Sequence, residues 1–201
     1  MLTLIQNVAD EDKRIRAVLL NGSRANSNAP KDRYQDFDII YIVTSVDNFR
    51  AKPNWIDVFG ERMILQMPNT MDLGSDVNPP MIDAETYLMI FKDTNRIDLT
   101  LVALNDRFHL KDSLTKVLLD KDQLYPNLAP SSDVDYWVKK PTEKQFLDCC
   151  NEFWWVSTYV IKGLLRNEII YAKDRMEKPV RDMLMKMLSW YVGVHHNFTI
   201  N

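Results

Sequence analysis

Two aspartates separated by one residue form the first motif that could do chemistry. Asp36 and Asp38 stand at the start of the apolar run 37–44. Because side chains alternate between the faces of a strand, the two carboxylates point to the same side. Two like charges on one face are unfavourable unless a positive charge lies between them. Carboxylate oxygens suit Mg²⁺, so the pair predicts a divalent-cation site.

A glycine–serine turn precedes this pair. Gly22 and Ser23 follow the apolar run 16–21, and a glycine lets the backbone approach a ligand closely because it has no Cβ. Backbone N–H groups in such a turn can bind phosphate oxygens, and Arg24 follows directly as a second phosphate candidate. We therefore expect Gly22, Ser23 and Arg24 to bind a nucleotide.

A third acid lies on another strand-like segment. Asp98 is flanked by Ile97 and Leu99 and shares a face with Thr100. If this strand is a neighbour of the one that carries Asp36 and Asp38, three carboxylates converge. Such a cluster, holding a metal ion and a triphosphate, is what phosphoryl or nucleotidyl transfer needs.

Each feature alone has a simpler interpretation. An isolated Asp-x-Asp is most often a solvated turn or a fragment of a Ca²⁺ loop, and Asp98 next to Arg96 could be an edge charge. The combination of a strand, Gly-Ser and two acidic strands favours a functional site.

The elements that position these residues belong to a mixed α/β half of the chain with a partly antiparallel sheet. The pattern predicts two amphipathic helices, at 2–14 and about 48–59, and a hairpin turn at 93–96. Predicted strands, rich in β-branched and aromatic residues, cover 16–21, 37–44, 62–67, 86–92 and 96–104.

After Pro141 the pattern becomes helical. Thr142 and Gln145 form a capping-box signature, and a second helix is expected at 179–192. We expect domains at 1–135 and 136–201. A predicted core stripe on the first helix comprises Phe146, Cys149, Cys150, Phe153, Val156, Val160 and Leu164.

Composition excludes several classes of protein. The 201 residues are 46% hydrophobic and 26% charged, with 25 basic and 28 acidic residues and a net charge of −3, so a nucleic-acid partner is not expected. No apolar run is long enough to span a membrane, and the start of the chain does not look like a signal peptide. The adjacent Cys149 and Cys150 are expected to be reduced, which favours the cytoplasm.

The motif set Gly22-Ser23, Asp36-Phe37-Asp38 and Asp98 resembles the signature of the nucleotidyltransferase superfamily, which has a polymerase-beta-like fold. The segments GSRANSNAPKDRYQDFDIIYIVT, VLLDKD, YWVKKPT and DCCNEFWWVSTYVIKGLLRNE are similar to the aminoglycoside 6-adenylyltransferases (streptomycin adenylyltransferases). The resemblance covers nearly the whole chain.

The resemblance implies an α+β fold: an N-terminal nucleotidyltransferase domain with a mixed sheet, then a C-terminal helical substrate-binding domain. Family members continue beyond this length, so the helical domain is expected to be truncated. The implied reaction is Mg²⁺-dependent transfer of AMP from ATP to the 6-hydroxyl of streptomycin, which gives antibiotic resistance. Asp36 and Asp38 would be metal ligands, and Asp98 would be a third ligand or the general base.

The helix after Thr142 carries candidates for binding the acceptor. Acids beside aromatic rings suit a guanidinium-bearing cation such as streptomycin, through charge-assisted hydrogen bonds and cation–π contact. The alternative is a solvated face whose rings pack against a further segment, with Trp154 as the inward ring. Lys162 could reach the triphosphate or be solvated. The substrate-binding candidates are Asp148, Glu152, Trp154, Trp155 and Tyr159.

Three functions of different classes remain open at this point. The leading one is an aminoglycoside adenylyltransferase. The second is a nucleotidyltransferase that modifies protein or RNA, as in toxin–antitoxin systems, and the third is an inactive binding module. The net charge disfavours RNA, and the three acids disfavour a module without catalysis.

Overall fold

The computed structural model describes residues 1–72, 82–110 and 112–201. The chain divides into two compact units, Met1–Asp135 and Tyr136–Asn201. Within the described residues, no helix is both long and apolar enough to cross a membrane.

The first unit is built on a six-stranded mixed sheet. Its strands are β1 (Ile15–Leu20), β2 (Phe37–Val43), β3 (Arg62–Gln66), β4 (Ala84–Phe91), β5 (Arg96–Ala103) and β6 (Lys116–Asp120). They lie in the order β3-β4-β5-β2-β1-β6. The β2–β5 pair at the centre is parallel, and the other neighbours are antiparallel. The prediction of an α+β fold with a mixed sheet is confirmed.

One face of the sheet carries the main core. Helix α1 (Leu2–Glu11) packs there through Ile5 and Ala9, both fully buried. The hydroxyl of Tyr41 on β2 donates to the Ile5 carbonyl at 2.7 Å, so the one polar atom of this buried ring has a partner. This face of the sheet is therefore covered by α1 and the core residues packed around it.

The two helices predicted in this unit differ from the observed ones. Helix α1 ends at Glu11 rather than 14, because the Asp12 carboxylate accepts the backbone N–H of Arg14 at 2.9 Å and holds the turn. The helix expected at 48–59 is divided into α3 (Asp47–Arg50) and a 3₁₀ segment, Pro53–Phe59. Pro53 has no N–H and disfavours helical backbone at the preceding residue, which explains the break. Between β1 and β2 lies the single turn α2 (Gly22–Ala25).

The second unit is helical, as expected. It contains α4 (Glu143–Leu165), α5 (Ile169–Arg175), a π-helical turn (Met176–Val180) and α6 (Arg181–His195). Thr142 and Gln145 form the predicted capping box: the Thr142 hydroxyl accepts the Gln145 N–H, and the Gln145 side chain accepts the Thr142 N–H. The last helix begins later than 179 because Pro179 lies inside the π-helical turn.

The predicted core stripe of α4 is buried only in part. Cys149 and Val156 are buried, whereas Phe146 and Leu164 are exposed. Near the end of the helix it is Gly163 that lies against α5, since a Cβ there would be 3.0 Å from that of Ala172. Gly163 therefore packs closely against α5, whereas Leu164, which was predicted to be a core residue, is exposed.

Candidate functional site

The register of the two central strands places two acids side by side. Asp38 on β2 pairs with Asp98 on β5 in the parallel ladder, and neighbouring strands lie about 4.8 Å apart. Directly paired residues project to the same face, so the two carboxylates are neighbours. The expectation that these acidic strands are adjacent, with both side chains on one face, is confirmed.

Arg96 connects Asp36 to the pair formed by Asp38 and Asp98. Its Nε and Nη2 donate to the two carboxylate oxygens of Asp98, at 2.8 and 2.6 Å, and its Nη1 lies 3.4 Å from Oδ2 of Asp36. One guanidinium therefore touches both carboxylates. Asp36, which precedes β2, belongs to the same cluster as Asp98.

Asp38 is partly buried beside the other two acids. Burial, followed by the negative charges of Asp98 and Asp36, raises the pKa of Asp38 to about 6, against the opposing effect of Arg96 and Arg24. A carboxyl in this position is unfavourable when ionised. It is therefore a group that gains from a further positive charge beside it.

The glycine turn is in direct contact with Asp38. Gly22 has φ +67°, and a Cβ on it would lie 2.1 Å from Oδ2 of Asp38. The backbone N–H of Asn21 donates to the Asp38 carbonyl at 2.9 Å. Ser23 follows at the exposed start of the turn. The structure therefore brings Gly22 to Asp38, and Ser23 is the next residue in the chain.

The side chain of Arg24 lies against the start of β2. Its Nε donates to the carbonyl of Asp36 and its Nη2 to the carbonyl of Gln35, both at 2.8 Å. Its guanidinium carbon is 3.8 Å from the centre of the Phe37 ring. These contacts hold the backbone on which Asp36 and Asp38 are mounted. Binding of phosphate by Arg24 stays a prediction.

The donor set suits a hard divalent cation. Three carboxylates supply only oxygen ligands, and the position between two of them already carries positive charge, that of Arg96. Within the described ranges, no three acidic, His or Cys side chains are arranged as a ready-made metal centre. The residue types fit Mg²⁺, with Asp36, Asp38 and Asp98 as the candidate ligands.

Sequence reasoning missed part of this face. Thr86 on β4 pairs with Thr100 on β5, and their hydroxyl oxygens are 3.2 Å apart, next to Asp98 in the sheet. In the sequence, Arg96 indicates only that Asp98 could be a charge at the edge of the sheet. The Arg-x-Asp spacing on one strand puts both side chains on one face and could have revealed the pair.

The remaining candidates lie on α4 in the second unit. The indole Nε1 of Trp155 donates to the hydroxyl of Tyr159 at 2.9 Å, and the Lys162 ammonium lies 5.9 Å from the centre of the Tyr159 ring. Asp148 forms an ion pair with Lys144, and Glu152 and Trp154 are exposed. Trp155, Tyr159 and Lys162 thus form one continuous group on the helix.

Fold and site together define a class: an α+β protein with a carboxylate centre on two parallel strands, followed by a helical unit. Comparison with known sequences agrees with this class. The profile of the family described as streptomycin adenylyltransferase matches residues 1–201. The chain belongs to the streptomycin adenylyltransferase family, whose members are nucleotidyltransferase enzymes.

Individual relatives share the family assignment. Aminoglycoside 6-adenylyltransferases from Campylobacter jejuni and Bacillus subtilis are 47% and 42% identical to this chain, over 97% and 100% of it and over 67% and 71% of their own lengths. A crystal structure of the Bacillus subtilis aminoglycoside 6-adenyltransferase aligns with 36% identity and a TM-score of 0.50. That alignment covers 96% of this chain and 66% of the other. The chain thus spans about two thirds of the length of these relatives.

Proposed function

We propose that this protein transfers AMP from Mg²⁺-bound ATP to a hydroxyl of an aminoglycoside, namely the 6-hydroxyl of streptomycin. The observation that carries the proposal is the pairing of Asp38 with Asp98 in the centre of the sheet, beside the Gly22 turn. The names of the relatives, aminoglycoside 6-adenylyltransferases, support the class of acceptor.

Asp36 and Asp38 hold the divalent cation in this proposal. When bound, the ion screens negative charge on the attacking and leaving oxygens of the phosphoryl group. Asp38 contributes a carboxylate that is half-buried among other acids, and the added positive charge favours its ionised form.

Asp98 accepts the proton of the attacking hydroxyl or serves as the third ligand. A general base must lie within hydrogen-bond reach of the proton that it removes. Asp98 comes from a different strand than Asp36 and Asp38, so it can face the acceptor while they face the metal. Both of its oxygens are bonded to Arg96, and at least one must be released for either role.

The nucleotide is bound by the turn after β1. Gly22 leaves room for close approach to the acidic pair, and Ser23 is exposed beside it. Arg24 adds positive charge next to this turn, and Lys162 on α4 is a further candidate for nucleotide binding.

The acceptor is bound by α4, in the second unit. Streptomycin carries guanidinium groups, which carboxylates bind through charge-assisted hydrogen bonds and aromatic rings bind through cation–π contact. Asp148 and Glu152 supply the carboxylates, while Trp154, Trp155 and Tyr159 supply the rings. In this proposal residues 1–135 form the nucleotidyltransferase domain and residues 136–201 belong to the substrate-binding domain.

We place the reaction in the cytoplasm, where ATP is available. Cys149 and Cys150 are both free thiols, which fits a reducing compartment.

The test is pyrophosphate release from ATP, with streptomycin, spectinomycin and kanamycin offered in parallel. Release that depends on streptomycin and Mg²⁺, and is lost in Asp98→Asn, is the expected result. Equal release with all three compounds would contradict the streptomycin assignment. Near-normal turnover in Asp98→Asn would remove that residue as the base.

A further inference from the structure

The Arg96 side chain lies between two of the candidate metal ligands, Asp98 and Asp36. It bridges Asp98 and Asp36 with three of its nitrogens, at 2.6 to 3.4 Å. Asp98 faces Asp38 across the β2–β5 ladder. The guanidinium is thus the positive charge that the acidic cluster holds in this structure.

We infer that Arg96 acts as a built-in counter-ion that competes with the divalent cation for Asp98 and Asp36. The inference rests on the proposed function for the metal itself. It adds that metal binding requires the Arg96 guanidinium to leave the carboxylates. Arg96 is then a positioning residue: it keeps the acids together without metal and sets how tightly metal binds.

The geometry supports competition rather than permanent pairing. Both oxygens of Asp98 are engaged by the fork of the guanidinium, which matches a carboxylate in two parallel bonds. A metal that takes either oxygen must break one of these bonds. The Arg96 side chain is 43% exposed, whereas that of Asp98 is 19% exposed. The arginine is therefore the mobile partner, because it can swing into solvent while the strand holds the acid.

The position of Arg96 in the chain makes this arrangement local. Residues two apart on one strand share a face, so β5 supplies both the acid and its counter-ion. Arg96 also contacts Asp36, which is the residue before the neighbouring strand β2. Loss of Arg96 would leave the three carboxylates facing one another without that charge, and this repulsion should favour any cation that enters.

The experiment measures binding of Mn²⁺ alone to the whole chain, by electron paramagnetic resonance of the free ion. Three variants are compared with the parent: Arg96→Gln removes the charge, Arg96→Lys keeps it without the fork, and Lys92→Gln is a matched control. Lys92 is an exposed lysine in the turn between β4 and β5, and it is paired with Glu61, the residue before β3. Thermal unfolding in EDTA and in Mn²⁺ is recorded for each protein.

We expect Arg96→Gln to bind Mn²⁺ about tenfold more tightly, which corresponds to ~1.4 kcal/mol. Its melting temperature should fall in EDTA and rise more steeply with Mn²⁺ than that of the parent. Arg96→Lys should lie between the two, and Lys92→Gln should match the parent.

Unchanged or weaker Mn²⁺ binding in Arg96→Gln would overturn the inference. A different contrary outcome is that Arg96→Lys binds Mn²⁺ as the parent does while Arg96→Gln binds it more tightly. The positive charge alone would then account for the effect, and competition through the two parallel hydrogen bonds of the guanidinium would be wrong. If Arg96→Gln does not fold, the comparison of Arg96→Lys with the parent decides. The proposed function fails separately, through the absence of drug-dependent pyrophosphate release by the parent.

Discussion

Gly22 and Asp38 are so close that a Cβ on the glycine would lie 2.1 Å from Oδ2 of the aspartate. Gly22 also has φ +67°, a conformation in which side chains are strained. The turn after β1 therefore packs directly against the start of β2. The glycine determines where the Asp38 carboxylate can lie.

Gly22→Ala should therefore destabilise the protein by more than the backbone strain alone, which is about 1–2 kcal/mol. The excess is the clash with Asp38, and it should disappear when the substitution is made in an Asp38→Ala background. Chemical denaturation of both single variants and the double variant measures this coupling. Additive effects would show that Asp38 can move away from the turn freely.

Asp38→Asn should abolish transfer without loss of stability. The side chain keeps its size but loses a charge that is unfavourable beside Asp98 and Asp36. In EDTA at pH 7.5 we expect a gain on the order of 1 kcal/mol, since solvent screens this half-exposed group. A large loss of stability in the melting curve would instead identify Asp38 as an acid with a structural role.

The advantage of Asp38→Asn over the parent should depend on pH. The pKa of Asp38 is raised to about 6 in the folded protein, above its ordinary value of 3.8. Between these values the unfolded chain ionises first, so the parent loses stability as pH rises through this range. The gap should therefore narrow toward pH 4, and it should close well below pH 3.8, where the Asp38 carboxyl is protonated in both the folded and the unfolded state. Unfolding free energies at pH 4, 5, 6 and 7.5 in EDTA test this; a constant gap would contradict it.

Arg24→Ala should lower the free energy of unfolding by about 1.5–3 kcal/mol, because two carbonyls lose a charged donor. Arg24→Lys should recover only part of this, since lysine has neither the fork nor the flat surface that packs on Phe37. Urea unfolding and the KM for ATP are measured together. A raised KM with unchanged stability in Arg24→Lys would show that phosphate binding is the main role of this side chain.

Glu152→Gln should weaken streptomycin binding about ten- to a hundredfold, as expected for loss of a charge-assisted contact. Asp148→Asn is the matched comparison, and it should lose less affinity for streptomycin because Asp148 is already paired with Lys144. Calorimetric titration with streptomycin and with a nonhydrolysable ATP analogue separates the two substrates. Unchanged streptomycin affinity in Glu152→Gln would contradict the assignment of α4 as the acceptor surface.

The sequence alone determined the local features. Alternation along 37–43 and 96–103 predicted two strands with their acids on one face, and the Thr142–Gln145 capping box marked the start of α4. These are short-range patterns, set by the geometry of one strand or one helical turn. Such patterns also predicted a mixed α/β half followed by helices, whereas the α+β fold with two domains was what the family resemblance implied. They could not reveal the edge strand β6, whose five residues do not alternate clearly.

Tertiary structure decided which residues meet. Strand order is a long-range property, and only the parallel pairing of β2 with β5 aligned Asp38 with Asp98. The contact of Gly22 with Asp38 and the bridge from Arg96 to Asp36 also join distant segments. Arg24 is an example of what local patterns leave open. Its position after Gly22 and Ser23 predicts phosphate binding, whereas in the fold its side chain donates to two backbone carbonyls. Residue types set the possible chemistry, whereas packing and register set the contacts, because these depend on strands far apart in the chain.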